Sequence, residues 1–554
     1  MRRIGDLGGW LVAVPILALA LVFVVYPLGN AILLAFVRKG AEVTFANLTL
    51  LNFERFFISR SWQQAFFNSI ISSGGATALA AVLAVPMAFI VARVAIPLRS
   101  LVLGLSVIPL IAPPFIGAYA WIILLGNNGI ITQLVATYLG LKLPTIYGAF
   151  GVTVALALSY IPYLFLIVQG ALAASDPTIE EAATITGASR LRIIRTVTLP
   201  MAAPAIAAGM LIVFIKAMGD FGVPSILGGE FQVLPTLLYY QIHGFFNLNA
   251  GSAIALVNVL LTVAALALLK YVSRRDITTV TGTSRAAERA TGLLARVSGN
   301  AYLWFVLLLA LLPQAMVALY SFSLRWGDTL LPSAYGFDNY RDVAAEALVT
   351  MGNSVIVAGA ATLVCVVFGT LAAYSMLRGR AAARWAIDLT VMVPFVLPGI
   401  VVGVAYLATF NDGPVVLTGT ATILVMAYFT RRVAFIFRAA AIAIGQIDPR
   451  IEEASTVCGA SWLVTMRRVT LPLIAPGLLA GAVLVFATLI GEISATVLLY
   501  SANWKPISIA IYERVLGNEL ARASALGTLC NLATLALVLV ASRLAGRNMS
   551  DMFR

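Results

Sequence analysis

Apolar runs at or above the ~20 residues that a helix needs to cross a bilayer recur along this whole chain. GWLVAVPILALALVFVVYPLGNAILLAFV from Gly9 and AYLWFVLLLALLPQAMVALYSF from Ala301 are two of them. In lipid each segment must satisfy its own backbone hydrogen bonds, so a chain built this way folds as a bundle of spanning helices. Composition agrees: 61% of residues are hydrophobic and 11% charged, against about a quarter charged in soluble domains. The first run is too long for a signal-peptide core and is followed by no small-residue cleavage site, so it is expected to stay as the first span. Cys365, Cys458 and Cys530 are scattered without a CxxC, which supports neither a disulfide framework nor a zinc site.

The fold class expected is all-α and polytopic, with about twelve spans. They fall near 10–37, 64–95, 100–124, 147–174, 201–226 and 250–272, then 300–323, 350–377, 385–409, 415–444, 473–500 and 523–544. With both termini inside, 22 of the 36 Lys and Arg residues face the cytoplasm, 10 the other side, and four lie within spans. That positive-inside bias sets the orientation. It also accounts for the net charge of +13 without a nucleic-acid partner.

The twelve spans divide into two sixes. From Asp176 to Pro204, 18 of 29 positions are identical to the residues 272 further on. Upstream the offset is 285, pairing Asn68 with Asn353, Arg93 with Arg378, and Pro113 with Pro398. The 13-residue difference marks an insertion in the first half, within LLGNNGIITQLVATYLGLKLPTIYG. An even number of spans per half makes the repeats parallel. Residues 1–272 form the first repeat, the polar and basic stretch 273–300 a cytoplasmic linker, and 301–554 the second repeat.

The most strongly repeated segments, 176–200 and 448–472, lie on the cytoplasmic side between the fourth and fifth spans. Asp176-Pro177 and Asp448-Pro449 resemble an N-cap followed by proline at the first helical position. The acids Glu180, Glu181, Glu452 and Glu453 suit the first helical turn. Gly187 and Gly459 let the chain turn into a second short helix. A single copy would pass as an amphipathic interfacial loop. Two copies in one topological place point to docking the same partner twice.

EEAATITGASRLRIIRTVTLP and EEASTVCGASWLVTMRRVTLP resemble the EAA loop of ATP-binding-cassette importer permeases, with Ser455 in place of the second alanine. The resemblance implies a type I importer permease fold with both halves fused. It also implies that Glu180, Glu181, Ala182, Ala183 and Gly187, with Glu452, Glu453, Ala454 and Gly459, form two elements that seat in a separate ATPase. The implied partners are two copies of that ATPase, a periplasmic substrate-binding protein and membrane lipid, in a bacterial inner membrane. Neither GxxxxGKS nor GxxxxGKT occurs in the sequence, so the chain is expected to be no enzyme and to hold no cofactor, with ATP and Mg2+ on the partner.

Charged residues inside spans are functional candidates. Asp220 and Glu492 occupy equivalent positions in the outer third of the membrane, where their carboxylates would favour a cation. Lys216 lies one turn from Asp220 and is its candidate ion-pair partner. Arg431, Arg432 and Arg438 sit towards the inner end of the tenth span, either snorkelling to headgroups or, for Arg431 and Arg432, lining the pathway. His243 is expected in an outer loop, and no metal cluster is apparent. GDFGVPSILGG and the fused halves resemble ferric-iron importer permeases, with thiamine and aminoethylphosphonate permeases as alternatives. An ion-coupled secondary transporter of twelve spans is the contrasting class; it would have no use for the duplicated loop.

Overall fold

The computed structural model describes residues 14–176, 178–272, 292–326, 331–379, 381–412 and 414–544. The expectations for Pro177, for linker residues 273–291 and for both chain ends lie outside the described residues. The described chain is helical apart from two short strands, Ser323–Arg325 and Ala334–Tyr335, paired antiparallel, and the isolated bridge Val37–Leu48.

Among the described residues, ten helices are long and apolar enough to cross a membrane, or eleven if one bent pair counts as a span. The departures from twelve uniform spans have physical causes. In each half the third span breaks at a proline: Arg99–Ile111 gives way to Pro114–Leu125 around Pro113, and Ala381–Val396 to Gly399–Phe410 around Pro398. Proline lacks the donor that would carry the helix on and clashes with the turn before it. The second break bends the chain by 110°. The tenth span, Ala421–Gly445, has ample length at 25 residues but carries Arg431, Arg432 and Arg438.

The fifth and eleventh spans start deeper in the doubled segments than expected and end sooner, at Arg190–Met218 and Trp462–Ile490. Gly219 and Gly491 stop them, and the short helices Gly222–Leu227 and Thr496–Leu499 come next. The insertion in the first half contains a helix of its own, Ile130–Leu139. Leu293–Ser321 begins within the stretch assigned to the linker.

The halves interlock. Tyr302, near the start of the second half, donates its hydroxyl to the carbonyls of Val82 and Leu83 at 3.1 Å. Reciprocally, Asn30 donates to the Ala408 carbonyl at 2.9 Å and Tyr406 to that of Phe23 at 2.7 Å. Each half's first helix also packs on the other's third span. Within each half the second span approaches the fourth closely. Cys365 and Gly369 meet the fourth span of the second half at Phe429 and Ile436, and buried Ala80 and Ala84 hold the same places in the first. Small residues at four-residue spacing allow the close approach that helix packing in lipid relies on.

Candidate functional site

The two doubled segments fold alike. Their helices, Thr178–Ile185 and Pro449–Val457, each close in a Schellman turn. Ala188 N–H donates to Ala183 and Gly187 N–H to Thr184; Ala460 and Gly459 repeat this with Ser455 and Thr456. Gly187 and Gly459 share a φ of +83°, a conformation that side chains disfavour. Asp176 accepts from Thr178 N–H at 2.9 Å and Asp448 from Arg450 N–H at 3.0 Å, in N-cap fashion. The Thr178 amide holds the Asp176 carboxyl below its usual range.

The paired glutamates divide their roles. Glu181 and Glu453 are exposed, as are Ala182, Ala454 and both glycines, while Ala183 is half-buried. Glu180 and Glu452 are only 3% and 8% exposed. Arg93 Nε lies 3.3 Å from Glu180 Oε1, and Thr198 donates to that oxygen at 3.0 Å. Arg378 Nε donates to Glu452 at 2.9 Å, and Thr470 does so at 2.9 Å. Each buried carboxylate therefore ties its loop to the end of the second span and to the π-helical turn that opens the fifth, Ile194–Thr198 or Met466–Thr470. Glu180 and Glu452 therefore do not share the exposed face of Glu181 and Glu453, against the expectation that all four seat in a partner. Successive helical residues point about 100° apart, so both glutamates cannot share a face.

Sequence reasoning missed the arginines of these anchors and placed Arg93 and Arg378 among surface topology charges; their alignment at one offset was the available signal. It also missed Ile185 and Val457, each 87% exposed, and Leu191 and Leu463 at 58% and 67%. Their signal was apolar character at matched positions in a polar segment.

A cavity of about 110 Å³ opens where the helix breaks of both halves meet. Its lining is pseudo-symmetric: Pro109, Pro113, Ser159, Tyr160, Tyr163, Lys216 and Asp220 face Pro394, Pro398, Arg431, Arg432, Phe435, Thr488 and Glu492, position for position. The halves touch across it. A Cβ at Gly219 would come within 3.0 Å of Pro398, and one at Gly491 would strike the Pro113 ring. Both glycines permit that approach.

Asp220 and Glu492 both sit just past the end of a helix and cap the short turn beyond it. Asp220 accepts from Val223 N–H at 2.8 Å and from the Tyr160 hydroxyl at 2.6 Å. Glu492 accepts from Ser494 N–H at 3.0 Å, pairs with Arg431, and lies 3.4 Å from Arg432 Nη2. Tyr160 and Arg432 are equivalent positions, so one inter-helix link uses a neutral hydroxyl donor in the first half and a cationic one in the second. A Cβ at Gly399 would overlap the Arg431 guanidinium; this glycine makes the space that the arginine fills.

The structure corrects two expectations. Arg431 and Arg432 lie mid-helix in Ala421–Gly445, turned to the cavity and buried against Glu492, and do not snorkel. The expected Lys216–Asp220 pair is not formed among the described residues. Lys216 Nζ lies over the Tyr163 and Phe435 rings instead, at 5.7 and 5.9 Å, a cation–π arrangement. Asp220 and Glu492 are both already hydrogen-bonded by protein donors. Arg438 does stay towards the exposed side, near Asp388 at 3.6 Å. His243 ends the helix Leu234–His243, is exposed, and stacks on Tyr239 at 4.4 Å. Among the described residues no cluster of three His, Cys, Asp or Glu side chains is placed to hold a metal.

A two-repeat helical bundle with a polar cavity between the repeats, and a matched loop extending from each, defines a membrane transport permease. The chain belongs to the family of binding-protein-dependent transport system inner membrane components, which matches it twice, over residues 80–276 and 365–550. It is 31% identical over 483 residues to a ferric transport system permease protein of Actinobacillus pleuropneumoniae, covering 85% of this chain and 70% of that one. A probable ABC transporter permease of Sinorhizobium fredii is 27% identical over 97% of this chain and 96% of its own length. A putative 2-aminoethylphosphonate transport system permease of Salmonella typhi is 29% identical over 43% of this chain and 90% of its own. The protein is thus a permease subunit of a binding-protein-dependent importer.

Proposed function

We propose that this permease carries iron(III) from the periplasm to the cytoplasm, working with two copies of a separate ATPase and a periplasmic binding protein. The observation that carries the coupling is the pair of loops, alike down to the Schellman turn and the buried glutamate. Glu181 and Glu453, with exposed Ile185, Val457, Leu191 and Leu463, offer two equal surfaces of mixed polar and apolar character, suited to clefts on two equal ATPase copies. ATP and Mg2+ belong to those copies, and both termini of this chain lie on their side of the inner membrane. Iron(III) as cargo rests on the ferric transport relatives. Rocking of one repeat against the other about the glycine–proline contacts opens the cavity to each side in turn.

A phosphonate is the second reading, favoured by the three cationic side chains around the cavity. Copurification tests the coupling. The wild-type chain should retain a nucleotide-binding subunit, and Glu181→Arg with Glu453→Arg should lose it while remaining folded. Retention by a folded double variant would remove these loops from the docking role. Metal analysis of the cognate binding protein, purified without added ligand, tests the cargo: iron is expected, and a bound phosphonate or thiamine without iron would replace it.

A further inference from the structure

The cavity's hydrogen-bonding capacity is unevenly used. Its acceptors are taken: Asp220 by Tyr160 and Val223, Glu492 by Arg431, Arg432 and backbone amides. Its donors are not. Arg432, 7% exposed, has a buried Nε with no acceptor among the described residues. Lys216 has aromatic faces but, among the described residues, no carboxylate within ion-pairing distance. Three cationic side chains therefore face two carboxylates that are already hydrogen-bonded. A hard metal cation needs free oxygen ligands, and this cavity supplies few. An oxyanion needs donors and positive charge, and planar guanidinium forks match its geometry.

We propose that the central cavity binds an oxyanion, a phosphate, phosphonate or carboxylate group, through Lys216, Arg431 and Arg432. The inference rests on the importer reading, which makes the cavity part of the cargo's path. It gives iron(III) a condition for passage: the metal crosses with an oxyanion ligand of its own and not as a bare cation. The same chemistry serves if the oxyanion is itself the cargo. The asymmetry between the halves supports this. The first half supplies Ser159 and Tyr160 where the second supplies Arg431 and Arg432, so both arginines lie on the second half's wall, opposite Lys216 of the first. A purely structural ion pair for Glu492 would need one arginine; the second, and Lys216, exceed it.

The test uses the full chain in lipid nanodiscs, titrated with radiolabelled inorganic phosphate and separately with citrate. Saturable binding of at least one is expected. Lys216→Met should weaken it about tenfold or more, and this variant leaves no carboxylate unpaired, so folding should be preserved. The joint change Arg431→Gln with Glu492→Gln removes an ion pair as a unit and should also weaken binding, while Asp220→Asn should leave it unchanged or tighter. No saturable binding to the folded wild type, or binding indifferent to Lys216→Met, would overturn the proposal. So would iron(III) binding without any oxyanion that Asp220→Asn abolishes. A second arm follows phosphate and iron uptake together in proteoliposomes containing the partner ATPase and binding protein. Co-import at a fixed ratio identifies an anion escorting iron, and phosphate entry without iron identifies the anion as cargo. ATP-dependent uptake together with an anion-indifferent cavity would defeat this inference and leave the importer standing; absence of ATP-dependent uptake would defeat the importer reading instead.

Discussion

Adjacent glutamates with opposite fates make the sharpest comparison among single residues. Glu180 and Glu452 are buried against arginines, and removing one partner of a buried pair costs roughly 3–5 kcal/mol because the other charge is stranded. Glu180→Ala or Glu452→Ala should therefore lower the unfolding temperature measurably. Glu181→Ala and Glu453→Ala, on an exposed surface, should change stability by no more than about 0.5 kcal/mol yet weaken ATPase association. A melting curve and a copurification assay on all four variants separate the roles; equal melting temperatures would rule out the anchor assignment. Gly491→Ala is a second residue-level case. Its methyl group would meet the Pro113 ring of the opposite half, and overpacking of this kind costs about 1–3 kcal/mol. The loss should appear as a lower melting temperature and reduced transport.

Among the elements, the loop helices depend on their closing turns. Gly187→Ala and Gly459→Ala impose a side chain on a φ of +83°, at about 1–2 kcal/mol each. Transport should fall, with Asn at the same sites milder than Ala because Asn tolerates the left-handed region better. On the helix Asp338–Arg378, Glu346 stands roughly 48 Å from Arg378 at 1.5 Å per residue, and so marks the opposite face of the protein. There Lys505 bonds Glu346 and Glu513, while Arg514 bonds Glu346 and Glu519. Hydrogen bonds from Arg514, then Arg522, hold Glu519 below its usual 4.5. Burial alone would lower the Lys505 ammonium, but its bonds to Glu513 and Glu346 raise it above 10.5. The signs come from linkage. Glu519 contributes stability above pH 4.5 that is lost as pH falls through its lower folded value. Lys505 contributes below 10.5 and loses its share as pH rises through its higher one. Melting temperature measured from about pH 7 down to about 3 should fall once the pH drops below 4.5, in the acid range where paired carboxylates protonate. Glu519→Gln should flatten that slope.

For the molecule as a whole, the interlocked first helices make the two halves hold each other without the linker. Cutting within 273–291 and coexpressing both pieces should yield an assembled, active permease, with the pieces copurifying through an affinity tag on either one. Much of this architecture was legible in the sequence. Hydropathy revealed the class because lipid enforces helices, and the fixed offsets revealed the twofold plan because equivalent positions serve equivalent packing. Pro113 and Pro398 were visible as aligned prolines, but a hydropathy window averages across a break and cannot register one. The cavity was less legible. Asp220, Glu492, Lys216, Arg431 and Arg432 all stood out as charges in spans, yet their pairing depends on which helix faces which. Tyr160, an ordinary aromatic in an apolar run, gave no warning that it meets Asp220.

Under the proposed function, this chain is a passive path whose direction and energy come from docked partners. The decisive measurement is uptake of radiolabelled iron into proteoliposomes, comparing the permease alone with the permease plus its ATPase and binding protein. Accumulation is expected only with both partners and ATP, and not with Glu181→Arg and Glu453→Arg combined. Accumulation by the permease alone, driven by a proton or sodium gradient, would refute the partner-driven mechanism.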